Sequence, residues 1–363
     1  MTVPEETFSG VKPVEERHRL DEVKLHAWLN ANVAGYAGHL TVHQFKGGQS
    51  NPTYRLDTPD QRYVLRRKPF GKLLPSAHAV DREFKVISAL YKAGFPVAEP
   101  KALCTDDSVV GAMFYVMTMV EGRVLWDGQL PGLSPIQRRA IYSAEIDTLA
   151  KLHSYDPASI GLGDYGKPGN YFARQIERWS KQYRASETEP ISAMDRLIDW
   201  LPKTTPAQTR VSVVHGDYRL DNMIFHATEP RVAAVLDWEL STLGDPLADF
   251  TYFLMVYKMP PAGQAAGSSG IMGLDQKALG LPTLDEAVTQ YCALTGRTGL
   301  PDLDWYFAYN FFRISAICQG IAGRVRDGTA ASPQAVASAA KAKPMAEIAW
   351  TFAAKAGAPK GAT

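Results

Sequence analysis

The segment "VVHGDYRLDNMIF", from Val213 to Phe225, combines polar residue types at a spacing that suits catalysis. Asp217 lies two positions after His215, and Asn222 follows Asp217 after four intervening residues. This H-x-D-x-x-x-x-N pattern is typical of a loop that transfers phosphoryl groups, in which the aspartate orients the attacking hydroxyl and the asparagine binds magnesium. Asp and Asn also cap ordinary turns between strands. The spacing alone therefore leaves a catalytic loop and a polar turn both open.

A second acidic residue strengthens the catalytic interpretation. Asp237, in "LDWE", lies fifteen residues after Asn222, at the end of a strand one hairpin beyond the loop. Carboxylate and amide oxygens are the hard ligands that Mg²⁺ prefers, so Asn222 and Asp237 are the predicted metal ligands. Asp217 is the predicted base, and Arg219 is predicted to contact the transferred phosphate. His215 is predicted to brace the loop.

Phosphoryl transfer also needs a cation upstream, on a strand, paired with an acid on the following helix. In the strand "YVLRRKP" alternate residues share a face, so Val64 and Arg66 point the same way. Arg66 is the predicted inward cation, Glu83 in "VDREF" is its predicted partner, and Val64 is predicted to cover an adenine ring. Arg67 and Lys68 are expected to lie on a solvated edge.

A Gly-rich turn and a buried strand complete the predicted nucleotide site. "FKGGQSNPTY" places two glycines before three polar residues whose N–H groups and side chains suit phosphate, although Gly-Gly pairs also form ordinary hairpin turns. "MTMVEG" is expected to border the adenine pocket and to read the adenine edge through its backbone. The polar residues are Gln49, Ser50 and Asn51; the strand residues are Met117 for the pocket wall, and Thr118 and Val120 for backbone contacts.

The order of patterns along the chain predicts an α+β protein, with a strand-rich portion followed by a helix-rich one. The predicted divisions are a flexible arm over 1–20, a nucleotide-binding N-lobe over 21–121, a C-lobe with the catalytic loop and acceptor site over 122–355, and a disordered tail over 356–363. The Gly- and Pro-rich segment 258–283 is predicted to be a mobile loop or lid. Arg313, Gln319 and Arg324 are expected in buried ion pairs rather than at the substrate.

Composition restricts the partners. The 363 residues include 39 Lys and Arg against 38 Asp and Glu, which gives a net charge of +1. The chain therefore has no overall electrostatic field that would favour binding of nucleic acid. The longest apolar run is far shorter than the ~20 residues that a membrane-spanning helix needs. The N-terminus lacks the basic and apolar run of a signal peptide, so a cytoplasmic protein is expected. Three widely spaced cysteines predict small buried side chains rather than a disulfide framework or a zinc site.

Taken together and in order, "GGQSNPTY", "YVLRRKP", "HAVDREF", "YGKPGNYFARQIERWSKQY", "HGDYRLDN", "LDWELSTLGDP" and "CQGIAGR" give the chain a specific resemblance. It resembles the aminoglycoside phosphotransferase and choline-kinase-like superfamily, and most closely the phosphotransferase domain associated with acyl-CoA dehydrogenases. The resemblance implies a bilobal protein-kinase-like fold, with an antiparallel β-sheet N-lobe and a mainly α-helical C-lobe. Arg66 stands where the superfamily usually has Lys.

The resemblance also implies the cofactors and the reaction. ATP and Mg²⁺ are expected, with transfer of the γ-phosphate to a small-molecule hydroxyl. For the dehydrogenase-associated group the implied acceptor is a hydroxyacyl-CoA of the 4-hydroxyacyl type, in fatty-acid catabolism, with a functional link to a separate acyl-CoA dehydrogenase. Two alternatives stay open: a phosphotransferase for an aminoglycoside, another antibiotic or an amino alcohol, and a nucleotide-binding pseudokinase that acts as an interaction module.

Overall fold

A computed structural model describes residues 10–46, 51–69, 79–264, 269–330 and 334–359. The chain forms two compact units. The sheet unit contains the residues up to Trp126, Pro157–Tyr165 and Leu220–Ser241, and the helical unit contains Asp127–Asp156, Gly166–Arg219 and the residues from Thr242 onward. Gln49 and Ser50 lie outside the described residues.

In the sheet unit the described residues form an antiparallel sheet of six strands with the order β1-β2-β3-β4-β6-β5. The alternation along "YVLRRKP" directs successive side chains to opposite faces of this sheet. The strands are β1 Val11–Lys12, β2 Thr41–Phe45, β3 Thr53–Asp57, β4 Arg62–Arg67, β5 Pro100–Cys104 and β6 Phe114–Thr118. The helices of this unit are α1 Glu22–Asn32, α2 Val80–Lys92 and α3 Asp107–Val110, with short 3-10 turns at Glu16–His18, Leu220–Asn222 and Trp238–Leu240.

One face of the sheet is covered by α1, whose Leu25 and Leu29 share a hydrophobic cluster with Tyr54 and Leu65. Arg67 lies on this face and is fully buried, so the predicted solvated edge is wrong for Arg67. Its Nε donates to the Tyr54 hydroxyl at 3.2 Å. The cause is that β4 lies inside the sheet, between β3 and β6, under elements distant in sequence.

The described part of the predicted flexible arm is attached to the sheet. Val11 and Lys12 form β1 and pair with β2. The Tyr54 hydroxyl donates to the His18 carbonyl at 2.8 Å, and the Glu15 amide donates to Gln44 Oε1 at 3.2 Å. These bonds satisfy backbone groups that a loose arm would leave to water. The arm is therefore better described, from residue 10 onward, as an edge of the sheet unit.

A two-stranded hairpin, β8 Met223–Phe225 and β9 Val232–Val235, follows the predicted catalytic loop. It bonds to the segment after β6, where Arg123 and Phe225 exchange two backbone hydrogen bonds of 2.8 Å. Gly122 allows this approach, because a Cβ at that position would lie 2.2 Å from the Phe225 carbonyl oxygen.

We expect Gly122→Ala to lower the free energy of unfolding by roughly 1–3 kcal/mol, because the added methyl must push the hairpin away. Gly169→Ala is the matched control, since a Cβ there meets nothing within 4 Å. Urea unfolding of both variants measures the difference. Equal stability of the two variants would contradict the close approach at Gly122.

In the helical unit the long helix Leu303–Arg326 packs against four other helices, which are Tyr171–Ser186, Leu247–Phe253, Ala335–Ala339 and Ala342–Lys355. Ser134 caps the N-terminus of the helix Pro135–Ser154 and forms a capping box with Gln137. The helices are α4 Pro135–Ser154, α5 Tyr171–Ser186, α6 Ser192–Trp200, α7 Leu247–Phe253, α8 Gln276–Leu279, α9 Leu284–Thr295, α10 Leu303–Arg326, α11 Ala335–Ala339 and α12 Ala342–Lys355; 3-10 turns lie at Leu201–Lys203 and Leu254–Tyr257, and the strands β7 Ser212–Val214 and β10 Thr242–Gly244 pair.

The segment 258–283 is not a loose lid in its described parts, 258–264 and 269–283. Ile271 and Leu281 are fully buried, and Gly128 donates its amide to the Ser269 carbonyl at 2.9 Å. The short helix α8 lies within it. Its glycines and prolines make turns between packed residues, so the prediction of a mobile segment from composition alone was wrong for these parts.

Two other expectations are tested by packing. Cys104, Cys292 and Cys318 are buried and unbridged, as predicted. Near the C-terminus Ala358, in the predicted tail, is buried and its amide donates to the Ala353 carbonyl at 2.8 Å, whereas residues 360–363 lie outside the described part.

Among the described helices, none combines the length and apolarity needed to cross a bilayer.

Candidate active site

In the sheet unit Arg66 is the centre of a buried charge network. The Arg66 side chain leaves β4 on the face opposite Arg67, and its Nε lies 2.8 Å from Glu83 Oε2 on α2. Its Nη2 lies 2.7 Å from Asp237 Oδ1 and 3.5 Å from Glu239 Oε2. Burial opposes the charge, but Glu83 and Asp237 raise the pKa of Arg66, so the guanidinium stays protonated. The predicted pairing of strand cation and helix acid is therefore present.

Asp237 owes its position to an unusual backbone conformation. It follows β9 with φ 62° and ψ 62°, in the left-handed region that Asp tolerates better than most residues. Asn222 is close by along the hairpin, because its carbonyl accepts the Leu236 amide at 2.8 Å. Asn222 and Asp237 thus line the same cavity. One amide and one carboxylate suit Mg²⁺, which takes its other ligands from phosphate and water oxygens.

The cavity is about 560 Å³ in volume and is lined by residues of the sheet unit. Val64 and Met117 contribute apolar wall from the six-stranded sheet, and Ile224 and Val235 contribute it from the hairpin. Arg66, Glu83, Asn222 and Asp237 lie in the same lining. A cavity lined by both apolar and charged side chains suits a ligand that has a flat ring and a charged tail.

The predicted backbone contacts on β6 are partly used within the protein. Thr118 and Val120 line the cavity. The Thr118 amide, however, donates to the Glu99 carbonyl at 2.9 Å, so a ligand could pair with the Thr118 carbonyl but not with this amide unless the bond opens. Val120 lies two residues further on, beyond the end of β6 at Thr118.

Asn51, a predicted phosphate contact, has side-chain partners within the protein. It is fully buried, and its Nδ2 donates to Glu83 Oε1 at 3.0 Å and to Glu239 Oε2 at 3.4 Å. The Tyr115 hydroxyl donates to Glu83 Oε2 at 3.1 Å. Asn51 and Tyr115 therefore position Glu83, the carboxylate that pairs with Arg66. Glu239 and Tyr115 were not predicted as site residues. The one sequence signal for either was the second acidic residue in "LDWE", which is Glu239.

In the helical unit the loop before Asp217 is held by hydrogen bonds between its backbone groups and nearby side chains. Asp249 accepts the His215 amide at 2.6 Å and the Gly216 amide at 2.8 Å, so its carboxylate braces the loop. His215 Nδ1 accepts the Asp217 amide at 3.1 Å. Gly216 adopts a φ of 88°, which favours glycine. Arg313 donates to the Gly216 carbonyl, in place of the ion pair expected for it.

Asp217 lies among cations and aromatic rings. The Arg219 Nε is 3.5 Å from Asp217 Oδ2. Burial opposes ionisation, but Arg219, Arg313 and His215 together lower the pKa of Asp217, and the Tyr252 hydroxyl donates a hydrogen bond to it. The Arg313 guanidinium lies 5.0 Å from the Tyr252 ring centre. Asp217 is therefore held as a carboxylate, the form that can accept a proton.

This environment predicts how activity depends on pH. A base must be deprotonated, so activity is present above the pKa of Asp217 and is lost as the pH falls through it. Arg219→Gln removes a positive charge beside Asp217, which raises that pKa and moves the acid limb of kcat/KM to higher pH. Arg174→Gln, on α5, is the control. An unshifted limb in Arg219→Gln would show that another group controls it.

The predicted site residues are thus divided between two local arrangements. The sheet unit brings Val64, Arg66, Glu83, Met117, Thr118, Val120, Asn222 and Asp237 around one cavity. The helical unit fixes Asp217 with Arg219 beside it. The chain passes from the helical to the sheet unit between Arg219 and Leu220, within the predicted catalytic loop.

Comparison with known proteins decides the family. The sequence profile of the phosphotransferase enzyme family matches residues 41–273. The chain belongs to this family. A solved structure from Ralstonia eutropha, provisionally assigned as an aminoglycoside phosphotransferase, is 52% identical, with a TM-score of 0.84 over 93% of this chain and 99% of that one. The resemblance predicted from the sequence is confirmed.

More distant structures show the fold of this phosphotransferase. Choline kinase from Cryptosporidium parvum is 10% identical and covers 93% of this chain and 97% of its own, with a TM-score of 0.63. A spectinomycin phosphotransferase, solved with ADP and spectinomycin, is 14% identical and covers 91% of this chain and 98% of its own, with a TM-score of 0.57. The fold class is therefore α+β and kinase-like, as predicted.

A larger relative is the mouse acyl-CoA dehydrogenase family member 10. It is 44% identical to the phosphotransferase over 349 residues, which are 96% of this chain and 32% of the mouse protein. The chain thus spans about a third of the length of this relative.

Proposed function

We propose that this protein is a Mg-ATP-dependent kinase that transfers the γ-phosphate to a hydroxyl of a small molecule. The observation that carries the proposal is the buried Arg66, which pairs with Glu83 and Asp237 on the wall of a cavity large enough for a nucleotide. The ADP bound to the spectinomycin phosphotransferase supports ATP as the donor. A cytoplasmic location remains part of this proposal.

Each residue has a part in the proposed reaction. Val64 and Met117 pack against the adenine ring, and backbone groups of Thr118 and Val120 pair with its edge. Gln49 and Ser50 contact the phosphates from the Gly-rich turn. Arg66 neutralises phosphate oxygens, and Glu83 holds Arg66 in place.

The remaining residues act on the transferred group. Asn222 and Asp237 would hold magnesium, which neutralises charge on the phosphates when bound. Asp217 orients the acceptor hydroxyl and accepts its proton. Arg219 stabilises negative charge on the transferred phosphoryl group.

We propose a hydroxyacyl-CoA of the 4-hydroxyacyl type as the acceptor, in fatty-acid catabolism. The name of the mouse relative supports an acyl-CoA context, with a separate acyl-CoA dehydrogenase as a functional partner. The surroundings of Asp217 agree in charge, because Arg219 and Arg313 favour an anionic acceptor over a polycationic aminoglycoside. The Tyr252 ring beside Arg313 adds apolar surface.

The test is a panel of acceptors with Mg-ATP, comprising hydroxyacyl-CoAs, aminoglycosides and amino alcohols. We expect ADP release and a mass increase of one phosphoryl group for the hydroxyacyl-CoAs alone. Phosphorylation of an aminoglycoside instead would replace the proposed acceptor while keeping the kinase. Binding of Mg-ADP without transfer to any acceptor would favour the interaction-module alternative.

A further inference from the structure

Three carboxylates surround the single guanidinium of Arg66, more than charge balance requires. Glu83 pairs with Nε at 2.8 Å, whereas Asp237 and Glu239 both approach Nη2, at 2.7 and 3.5 Å. Glu83 is buried, while 37% of the Asp237 side chain and 24% of the Glu239 side chain are exposed. The Nη2 end of the guanidinium therefore has two competing partners.

One of these partners has a second task under the proposed function. Asp237 is a proposed magnesium ligand, and its Oδ1 already accepts from Arg66 Nη2. A divalent cation at the same carboxylate would repel a guanidinium held 2.7 Å from that oxygen. Binding of the metal at Asp237 therefore favours a position of the Arg66 Nη2 end further from this carboxylate.

Glu239 is placed to receive that end of Arg66. Its Oε2 is 3.5 Å from Nη2 and also lies 3.4 Å from Asn51 Nδ2. The same Asn51 amide group donates to Glu83 Oε1 at 3.0 Å. Asn51 thus fixes the two carboxylates on either side of Arg66, and a small shift of Nη2 exchanges one carboxylate for the other while Nε stays on Glu83.

We propose that Glu239, held by Asn51, is a positioning residue that accepts Arg66 when Asp237 binds magnesium. This inference rests on the proposed function. Glu239 then lowers the cost of metal binding, because the displaced guanidinium gains a carboxylate partner instead of losing one. The residue acts through Arg66 and need not contact the metal.

The test measures metal binding rather than turnover. Mg²⁺ is titrated calorimetrically into the full-length protein with saturating ADP. We expect Glu239→Gln to weaken Mg²⁺ binding about 10-fold, as is typical for partners of metal ligands. Asn51→Ala should weaken it in the same direction. Glu99→Gln is the matched control, because it removes one negative charge of the sheet unit that pairs with Lys101 at 2.8 Å.

A second background separates positioning from direct ligation. In an Arg66→Met protein no guanidinium needs a new partner, so adding Glu239→Gln should leave the Mg²⁺ affinity unchanged within error. If Glu239→Gln weakens binding equally in both backgrounds, Glu239 is itself a metal ligand and the inference is overturned. Unchanged affinity of Glu239→Gln and Asn51→Ala in the normal background would also overturn it. Failure of the unsubstituted protein to bind Mg-ADP would instead refute the proposed function.

Discussion

Asp217→Asn is expected to lower kcat by about 10³-fold, within the usual contribution of a general base. The amide keeps the shape of the side chain but cannot accept the proton of the acceptor hydroxyl. ADP affinity should stay unchanged, because the cavity is lined by residues of the sheet unit and Asp217 belongs to the helical unit. Single-turnover phosphoryl transfer and calorimetric ADP binding measure the two effects separately.

The control for Asp217→Asn is the same substitution at Asp195. Asp195 lies on α6 of the same unit and pairs with Arg184 at 2.6 Å, outside the predicted site. Asp195→Asn should retain full turnover. If Asp217→Asn also retained it, Asp217 would not be the base, and the loop "HGDYRLDN" would have to be interpreted as structural.

Asp237→Asn is expected to reduce turnover on the order of 10³-fold, because the lost carboxylate is the charged ligand of the proposed metal site. Asn also tolerates the left-handed conformation of this position, so the substitution should leave the fold intact. Unlike Asp217→Asn, it should abolish the dependence of ADP binding on Mg²⁺. Calorimetry with and without Mg²⁺ distinguishes the two variants.

Asp164→Asn is the control for Asp237→Asn, since Asp164 is an exposed acid of the same unit that pairs with Lys85 at 2.7 Å. Its nucleotide binding should respond to Mg²⁺ as that of the unsubstituted protein does. Retention of this response in Asp237→Asn would mean that the metal is held elsewhere.

The pairing of Arg66 with Glu83 was predictable because it depends on local rules. Alternation along β4 placed Val64 and Arg66 on one face, and phosphoryl transfer was expected to need an acid on the helix that follows this strand. The hairpin after Asn222 follows an equally local pattern. These features need only neighbouring residues to specify them.

Arg67 was predicted wrongly, and the partners of Asn51 were not predicted, because the surroundings of both residues come from distant parts of the chain. Nothing near Arg67 in sequence indicates that α1 and the residues around His18 cover that face of β4. Asn51 is separated from Glu239 by 188 positions, and their hydrogen bond exists only once the fold is formed. A single sequence shows residue types but not such partners.

The helical unit illustrates the same limit. Arg313 was expected in an ion pair, but it donates to the Gly216 carbonyl, since a loop with positive φ directs that carbonyl toward α10. The segment 258–283 has the composition of a mobile loop, yet its described parts are packed by Ile271 and Leu281. The amino-acid composition of a segment indicates its conformational preference, but tertiary packing can override that preference.

The two adjacent arginines of β4 also safeguard the assembly of the sheet. Each has a dedicated partner on its own face, Glu83 for Arg66 and the Tyr54 hydroxyl for Arg67. A slip of β4 by one residue would exchange the faces and separate both cations from these partners. Burying such unpaired groups costs several kcal/mol, so misaligned pairings are disfavoured during folding. Arg66, which lines the cavity, thereby helps to specify the alignment of the strand that carries it.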